Sequence, residues 1–121
     1  MNPLPEKPRW GFSRRVRLTR ASEYERALRH PEFRIRRGSL GLNAVANTMH
    51  TARLGLVVAK RAVALAHERN RIKRIVRNRF RHARPHFGAL DLVIRVEAPL
   101  DRAQLHAELD SLFAELEERC G

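Results

Sequence analysis

Between Glu68 and Arg84 the chain reads ERNRIKRIVRNRFRHAR, which sets Arg69, Arg71, Lys73, Arg74, Arg77, Arg79, Arg81 and Arg84 in one run with no acid after Glu68. A guanidinium forks onto phosphate oxygens through parallel hydrogen bonds, so a run of this kind is chemistry for holding a polyanion. At 100° per residue, Ile72, Val76, Phe80 and Ala83 gather on one side of a helix with Ile75 at its edge. Lys73, Arg74, Arg77, Asn78 and Arg81 sweep the opposite arc. Arg79 projects between Ile72 and Ile75, so its stem is expected on the core edge with the guanidinium reaching water. A solvated basic face is the bland alternative, yet such faces usually mix signs for pairing between turns and this one hardly does. Nucleic acid is the favoured partner.

Other chemistry has little support. His82 and His86 have the i,i+4 spacing of two helical metal ligands, but Pro85 between them breaks the geometry and no neighbouring carboxylate completes a site. Ser13, Ser22, Ser39 and Ser111 lack a nucleophile-elbow context, and Gly38 and Gly41 punctuate strands rather than form a phosphate loop. The single cysteine, Cys120, excludes an internal disulfide and fits a reducing compartment. No catalytic residue and no metal or cofactor held by the protein alone is expected.

The elements that must position the basic run follow from periodicity. Residues 1–11 carry Pro3, Pro5, Pro8 and Gly11 and read as an extended N-terminal segment. A first helix of two to three turns follows, capped by Thr19 or by Ser22 with Glu25 as a capping box; Leu18, Tyr24, Ala27 and Leu28 make its apolar stripe, which ends before Pro31. Period-two signals at Phe33 and Ile35, at Leu40, Leu42, Ala44 and Ala46, and at Leu54, Leu56 and Val58 predict three strands. The basic helix then runs to about Arg84, stopped by Pro85 and Gly88, and Leu90, Leu92, Ile94 and Val96 alternate as a fourth strand closed by Pro99. Asp101 with Gln104 caps a last helix whose stripe is Leu105, Leu109, Leu112, Phe113 and Leu116. The predicted order α-β-β-β-α-β-α is an α+β two-layer sandwich, with helices packed on a four-stranded sheet.

Length and charge agree with one RNA- or DNA-facing domain over residues 1–121. At 121 residues and 43% hydrophobic content, a core is affordable. A formal charge of +12 and a pI near 11.6 call for a polyphosphate or an anionic surface as counter-charge. A membrane is disfavoured because no apolar run approaches about 20 residues, and MNPLPEKPRWGF lacks the look of a signal or transit peptide. A cytoplasmic protein is expected. Charge is uneven: Glu108, Asp110, Glu115, Glu117 and Glu118 crowd the last helix while the preceding half is basic.

The segment Val57–Phe80, VVAKRAVALAHERNRIKRIVRNRF, resembles the protein subunit of bacterial ribonuclease P. That family shows a strand ending in a basic pair, a short connection, then RNR followed by Ile-Lys-Arg at the head of a helix. Lys60-Arg61, Arg69-Asn70-Arg71 and Ile72-Lys73-Arg74 match these in turn, and Ala66-His67-Glu68 looks like the longer connection of proteobacterial members. RLTRASEY looks like the family's first helix, so the resemblance spans about residues 12 to 118.

The resemblance implies a role in an endoribonuclease that removes the 5′ leader of precursor tRNA. Its catalytic RNA subunit holds the active site and requires Mg2+, and the protein is one monomer in a 1:1 ribonucleoprotein. RNA-subunit binding would fall to Lys60, Arg61, His67, Arg69, Asn70, Arg71, Lys73, Arg74 and Arg77, with the helix N-terminus and Asn70 adding amide and capping groups. Leader binding would fall to a cleft lined by Phe12, Arg17, Tyr24, Leu28 and Arg53. The family usually carries two phenylalanines one turn apart in the first helix; Tyr24 and Leu28 stand there, which halves the capacity to stack on bases. The family is also known for a left-handed crossover around the basic helix, where the general rule predicts a right-handed one. Two rivals remain: a ribosomal or architectural RNA-binding protein, and a DNA-binding dimer with a zipper of Leu105, Leu109, Leu112 and Leu116, which the interruptions at Pro85, Gly88 and Pro99 disfavour.

Overall fold

The computed structural model describes residues 16–120; the N-terminal segment and Phe12 lie outside the described residues. The elements are α1 (Ala21–Arg29), β1 (Phe33–Arg37), β2 (Leu40–Ala46), β3 (Arg53–Val58), α2 (Ala66–Ala83), a 3-10 turn (Arg84–His86), β4 (Leu90–Val96) and α3 (Arg102–Cys120). The strands form one sheet in the order β1-β2-β4-β3. The β1/β2 and β2/β4 pairs are antiparallel and β3/β4 is parallel, so the β3-α2-β4 connection is a crossover between neighbours. It is left-handed, against the general rule that such crossovers turn right.

Alternation along the strands decides which helix covers which face. Leu42, Ala44, Leu54, Leu92 and Ile94 point to one side, and there the stripes of α2 and α3 close a core around them. Ile72, Val76 and Phe80 supply the α2 share. Leu105, Leu109, Leu112 and Leu116 are all within 1% of full burial, which removes the zipper reading because that stripe is occupied by the sheet. Phe87 bridges the two helices, its ring centroid 6.3 Å from Phe80 and 5.5 Å from Phe113. This helical layer and the sheet make the two-layer sandwich.

On the opposite face Val45 and Val93 meet Leu18 and Ala27, with Tyr24 and Leu28 packed beside them, so α1 adds a small cap there. Its start differs from the sequence expectation. Ser22 sits exposed inside the first turn, and Glu23 turns back instead, its Oε1 accepting from the amides of Thr19 (3.0 Å) and Arg20 (3.1 Å). Glu23 does so because its carboxylate is steered there from the far side by Arg53. At the other end of α1 the buried Asn43 donates through Nδ2 to the carbonyls of Ala27 (3.3 Å) and Leu28 (3.5 Å), satisfying groups a helix end leaves open. Before α1, Arg17 bridges Leu54 in parallel and the Leu18 amide bonds the Leu54 carbonyl, which covers the outer edge of β3.

Asp101 caps α3 as its sequence implies, Oδ1 accepting the Gln104 amide at 2.7 Å. From α3, Glu108 accepts the Ser39 amide at 3.0 Å and its carboxylate fills the space over Gly38, whose φ of +56° needs glycine. Among the described residues no helix is long and apolar enough to cross a membrane.

Candidate nucleic-acid interface

Burying Ile72, Val76 and Phe80 turns the opposite arc of α2 outward, and Asn70, Arg74 and Asn78 are exposed along it. Lys73 and Arg77 lie half-buried on the flank. The helix begins at Ala66 with Leu65 at its N-cap, three residues before the Arg69-Asn70-Arg71 triplet. The triplet therefore occupies the second turn rather than the head. The Arg69 amide is already bonded to the Leu65 carbonyl, and Asn70 does not cap.

The triplet's side chains also differ in availability. Arg69 Nη1 donates to the carbonyls of Val63 (3.0 Å) and Ala64 (2.8 Å), so it holds the connection that carries Lys60 and Arg61. Arg71 Nη2 meets both oxygens of Glu68 at 2.9 and 2.8 Å, an exposed pair of small worth that a phosphate can displace. Lys60, Arg61 and His67 are exposed at the same end, His67 Nε2 standing 3.5 Å from Glu68 Oε2. Arg79 adds to the expectation: its side chain stays 27% exposed, and its guanidinium also crosses to α3, pairing with Asp110 and meeting His106 Nδ1. A neighbouring helix offers it a carboxylate that no reading of α2 alone contains.

Along the outer face of α2 runs an open groove of about 640 Å³. Arg71, Arg74, Arg77 and Arg81 line it from α2, Arg17 from the segment before α1, and Arg102 and His106 from α3; no carboxylate is among the lining residues. Burial, and then repulsion from the Arg17 guanidinium, lower Arg77 from the ordinary arginine range. The half-buried Arg77 and the exposed Arg17 together form a local positive field that an anion relieves.

The cleft beside α1 is less uniform. Tyr24 lies half-buried with its ring over Gly55, where a Cβ would come within 2.6 Å of Cε2, and its Oη accepts weakly from the Leu56 amide at 3.4 Å. Glycine at position 55 is what allows the ring to lie on the strand. Leu28 packs with the small cluster under α1. Arg53 is committed: Nε and Nη2 grip the Asp91 oxygens at 2.8 and 2.9 Å, and Nη1 reaches Glu23 at 3.1 Å. The bond to Asp91 outweighs burial and raises the Arg53 guanidinium further. With its side chain only 11% exposed, Arg53 braces the cleft floor rather than offering donors to a ligand.

Arg102 and His106 were missed by sequence reasoning. They share the outer side of α3's first turns at i,i+4 spacing, but only the packing of α3 against α2 sets them beside Arg71 and Arg74. His82 Nδ1 contacts the Asn78 carbonyl and His86 Nδ1 stands 3.4 Å from Glu117; among the described residues no three His, Cys, Asp or Glu side chains group as a metal site.

A family model described as Ribonuclease P matches residues 12–117. The chain is similar to the ribonuclease P protein component of Chromohalobacter salexigens, 35% identical over 111 residues that cover 89% of this chain and 87% of the relative. That of Halorhodospira halophila is 39% identical over 106 residues, covering 85% and 87%. The fold is similar to that of the Staphylococcus aureus RNase P protein, with a TM-score of 0.75 over 83% of this chain and 94% of the other at 21% identity. The Thermotoga maritima RNase P protein gives 0.62 over 86% and 94%, also at 21% identity.

Proposed function

Since the chain belongs to the ribonuclease P protein family and is a protein component of that endoribonuclease ribonucleoprotein, we propose that the outer face of α2 docks on the catalytic RNA subunit while the cleft beside α1 holds the 5′ leader of precursor tRNA. The observation that carries this reading is the groove along α2, cationic from Arg17 to Arg102 with no acid among its lining residues. A-form RNA hides its base edges in a deep groove, so a folded RNA presents mainly phosphates and 2′-hydroxyls, which arginine forks suit. Lys60, Arg61, His67, Asn70, Arg71, Lys73, Arg74 and Arg77 make the docking surface, and Arg69 positions the connection that carries the first two.

For the leader, Arg17 attracts phosphates and Tyr24 offers a ring on which a base stacks, worth roughly 1–3 kcal/mol. Arg53 and Leu28 support that cleft from beneath. Phe12, outside the described residues, is assigned to the same cleft on the resemblance alone. Hydrolysis, with its Mg2+ ions, is work of the RNA subunit; the protein acts as a monomer in a cytoplasmic 1:1 complex and neutralises phosphates that otherwise keep RNA elements apart.

The test is cleavage of a labelled precursor tRNA at low Mg2+ by the same organism's catalytic RNA, with and without the protein, and by the protein alone. Stimulation only when both are present is expected, with the benefit shrinking as Mg2+ rises. Activity of the protein alone would overturn the assignment of catalysis to RNA. No stimulation would overturn the docking role.

A further inference from the structure

At the N-terminal end of the α2/α3 junction a recess of about 230 Å³ opens beside the cationic groove. Its walls are Ile72, Ile75, Leu100 and Leu105, and its polar groups are Glu68, Arg71, Asp101 and Arg102. Arg71, Ile75 and Arg102 line both hollows, so the two are continuous. Their charge is sorted: the groove has no carboxylate among its lining residues, while the recess holds both Glu68 and Asp101. A phosphate is favoured in the first over the second, where Glu68 and Asp101 offset Arg71 and Arg102, whereas a neutral planar ring with donors and acceptors on its edge fits the second. The recess is smaller than the roughly 300 Å³ at which ordinary ligand pockets begin, which suits one ring system.

We propose that the α2/α3 junction binds one unstacked nucleotide of the RNA subunit, its phosphate held by Arg71, Arg102 and His106 in the groove and its base inserted between Ile75 and Leu100. The assignment rests on the docking reading above and extends it to a base-specific contact, which RNA recognition makes where a base is splayed from a helix. His106 is prepared for its part. Arg79 can only donate, so Nδ1 of His106 accepts and the ring keeps its proton on Nε2, a donor for a phosphate oxygen. Arg79, also paired to Asp110, thereby fixes α3 against α2 and sets the width of the junction.

The experiment measures binding of the same organism's RNA subunit across a salt series, with nucleotide-resolution chemical probing, for the full-length protein and three variants. Leu100→Trp fills the recess without changing charge. It is expected to weaken binding about tenfold, as losing the burial of roughly 55 Å² of apolar surface would, to leave the salt slope unchanged, and to expose a single nucleotide that the wild type protects. Arg102→Ala, on an exposed position that folding does not need, is expected to reduce the salt slope by about one. Arg74→Ala, in the groove but away from the recess, weakens binding without exposing that nucleotide. Wild-type affinity and protection in Leu100→Trp, or an unchanged salt slope in Arg102→Ala, would overturn the nucleotide site. If Arg74→Ala also bound as wild type, the docking reading itself would be the one that failed.

Discussion

Arg53 on β3 and Arg74 on α2 are the same residue type put to opposite uses. Under α1, Arg53 grips Asp91 and Glu23, and Asn47 adds a 2.8 Å bond to Asp91, so each charge there is answered inside the protein. The same holds at the far edge, where Arg37 and Arg119 share Glu115 and Arg36 and Arg95 share Glu97. Along the groove on α2 no carboxylate is among the lining residues and the exposed Arg71–Glu68 pair is one a phosphate can displace, so the positive field is left for something outside. Thirteen Asp and Glu against twenty-five Lys and Arg leave the chain unable to neutralise itself, and the fold spends its acids where cations brace structure. Function follows from where the acids are placed, a property of the tertiary arrangement and not of the count.

The strongest break of this contrast is Arg53→Ala. It strands Asp91, whose side chain is 2% exposed, as a buried unpaired charge, a situation that costs about 3–5 kcal/mol. Urea denaturation is expected to show that loss, with leader affinity falling only as the folded fraction falls. Unaltered stability with collapsed leader binding would instead make Arg53 a direct contact, and the two uses of arginine would merge.

On the other side, Arg74→Ala with Arg77→Ala is expected to leave stability within about 0.5 kcal/mol, since neither residue has an internal ion pair among the described residues. Affinity for the RNA subunit is expected to fall at low salt and its salt slope to drop by about two. Removing Arg77 also relieves its repulsion with Arg17. A large loss of stability here would mean that the face is structural after all.

Local signals in the sequence were enough for the elements: strand alternation, the stripes of the two long helices and the Asp101 cap all lie within a few residues of their partners. The basic arc of α2 was legible for the same reason. What was not legible depends on distant partners. Glu23 rather than Ser22 starts α1 because Arg53, thirty residues on, shares its carboxylate. Arg79 turns toward α3 because Asp110 stands there. Arg69 looks like its neighbours in the triplet until the 59–65 connection folds its carbonyls onto it. Arg102 and His106 join the groove only through helix packing, and the left-handed crossover contradicts a rule that holds for nearly all parallel pairs.

The smallest expected effect is pH dependence, and it belongs to the paired region alone. Burial pushes the Glu23 carboxyl up, but the amides of Arg20 and Thr19 and the Arg53 guanidinium outweigh it and hold Glu23 below the usual carboxylate range. Glu97 is depressed in the same way, burial being outweighed by Arg95 and Arg36. A folded value below the unfolded one means that the unfolded chain takes up protons first on acidification. The contribution to stability is thus complete above the unfolded value of about 4.3 and is lost as pH falls through the folded values below it. Denaturation midpoints are expected to be flat with respect to Glu23 and Glu97 above about pH 5 and to fall below about pH 4.3. Glu23→Gln, which keeps an acceptor for the two amides but loses the charge, is expected to narrow the difference between neutral and acid stability. The guanidiniums facing the groove stay charged across that whole range, so the substitution should leave the salt slope of RNA binding at pH 7 as it was. An identical acid profile in Glu23→Gln would show that its carboxylate gains nothing from Arg53, and a changed salt slope would show that the α1 cleft and the α2 groove are not independent.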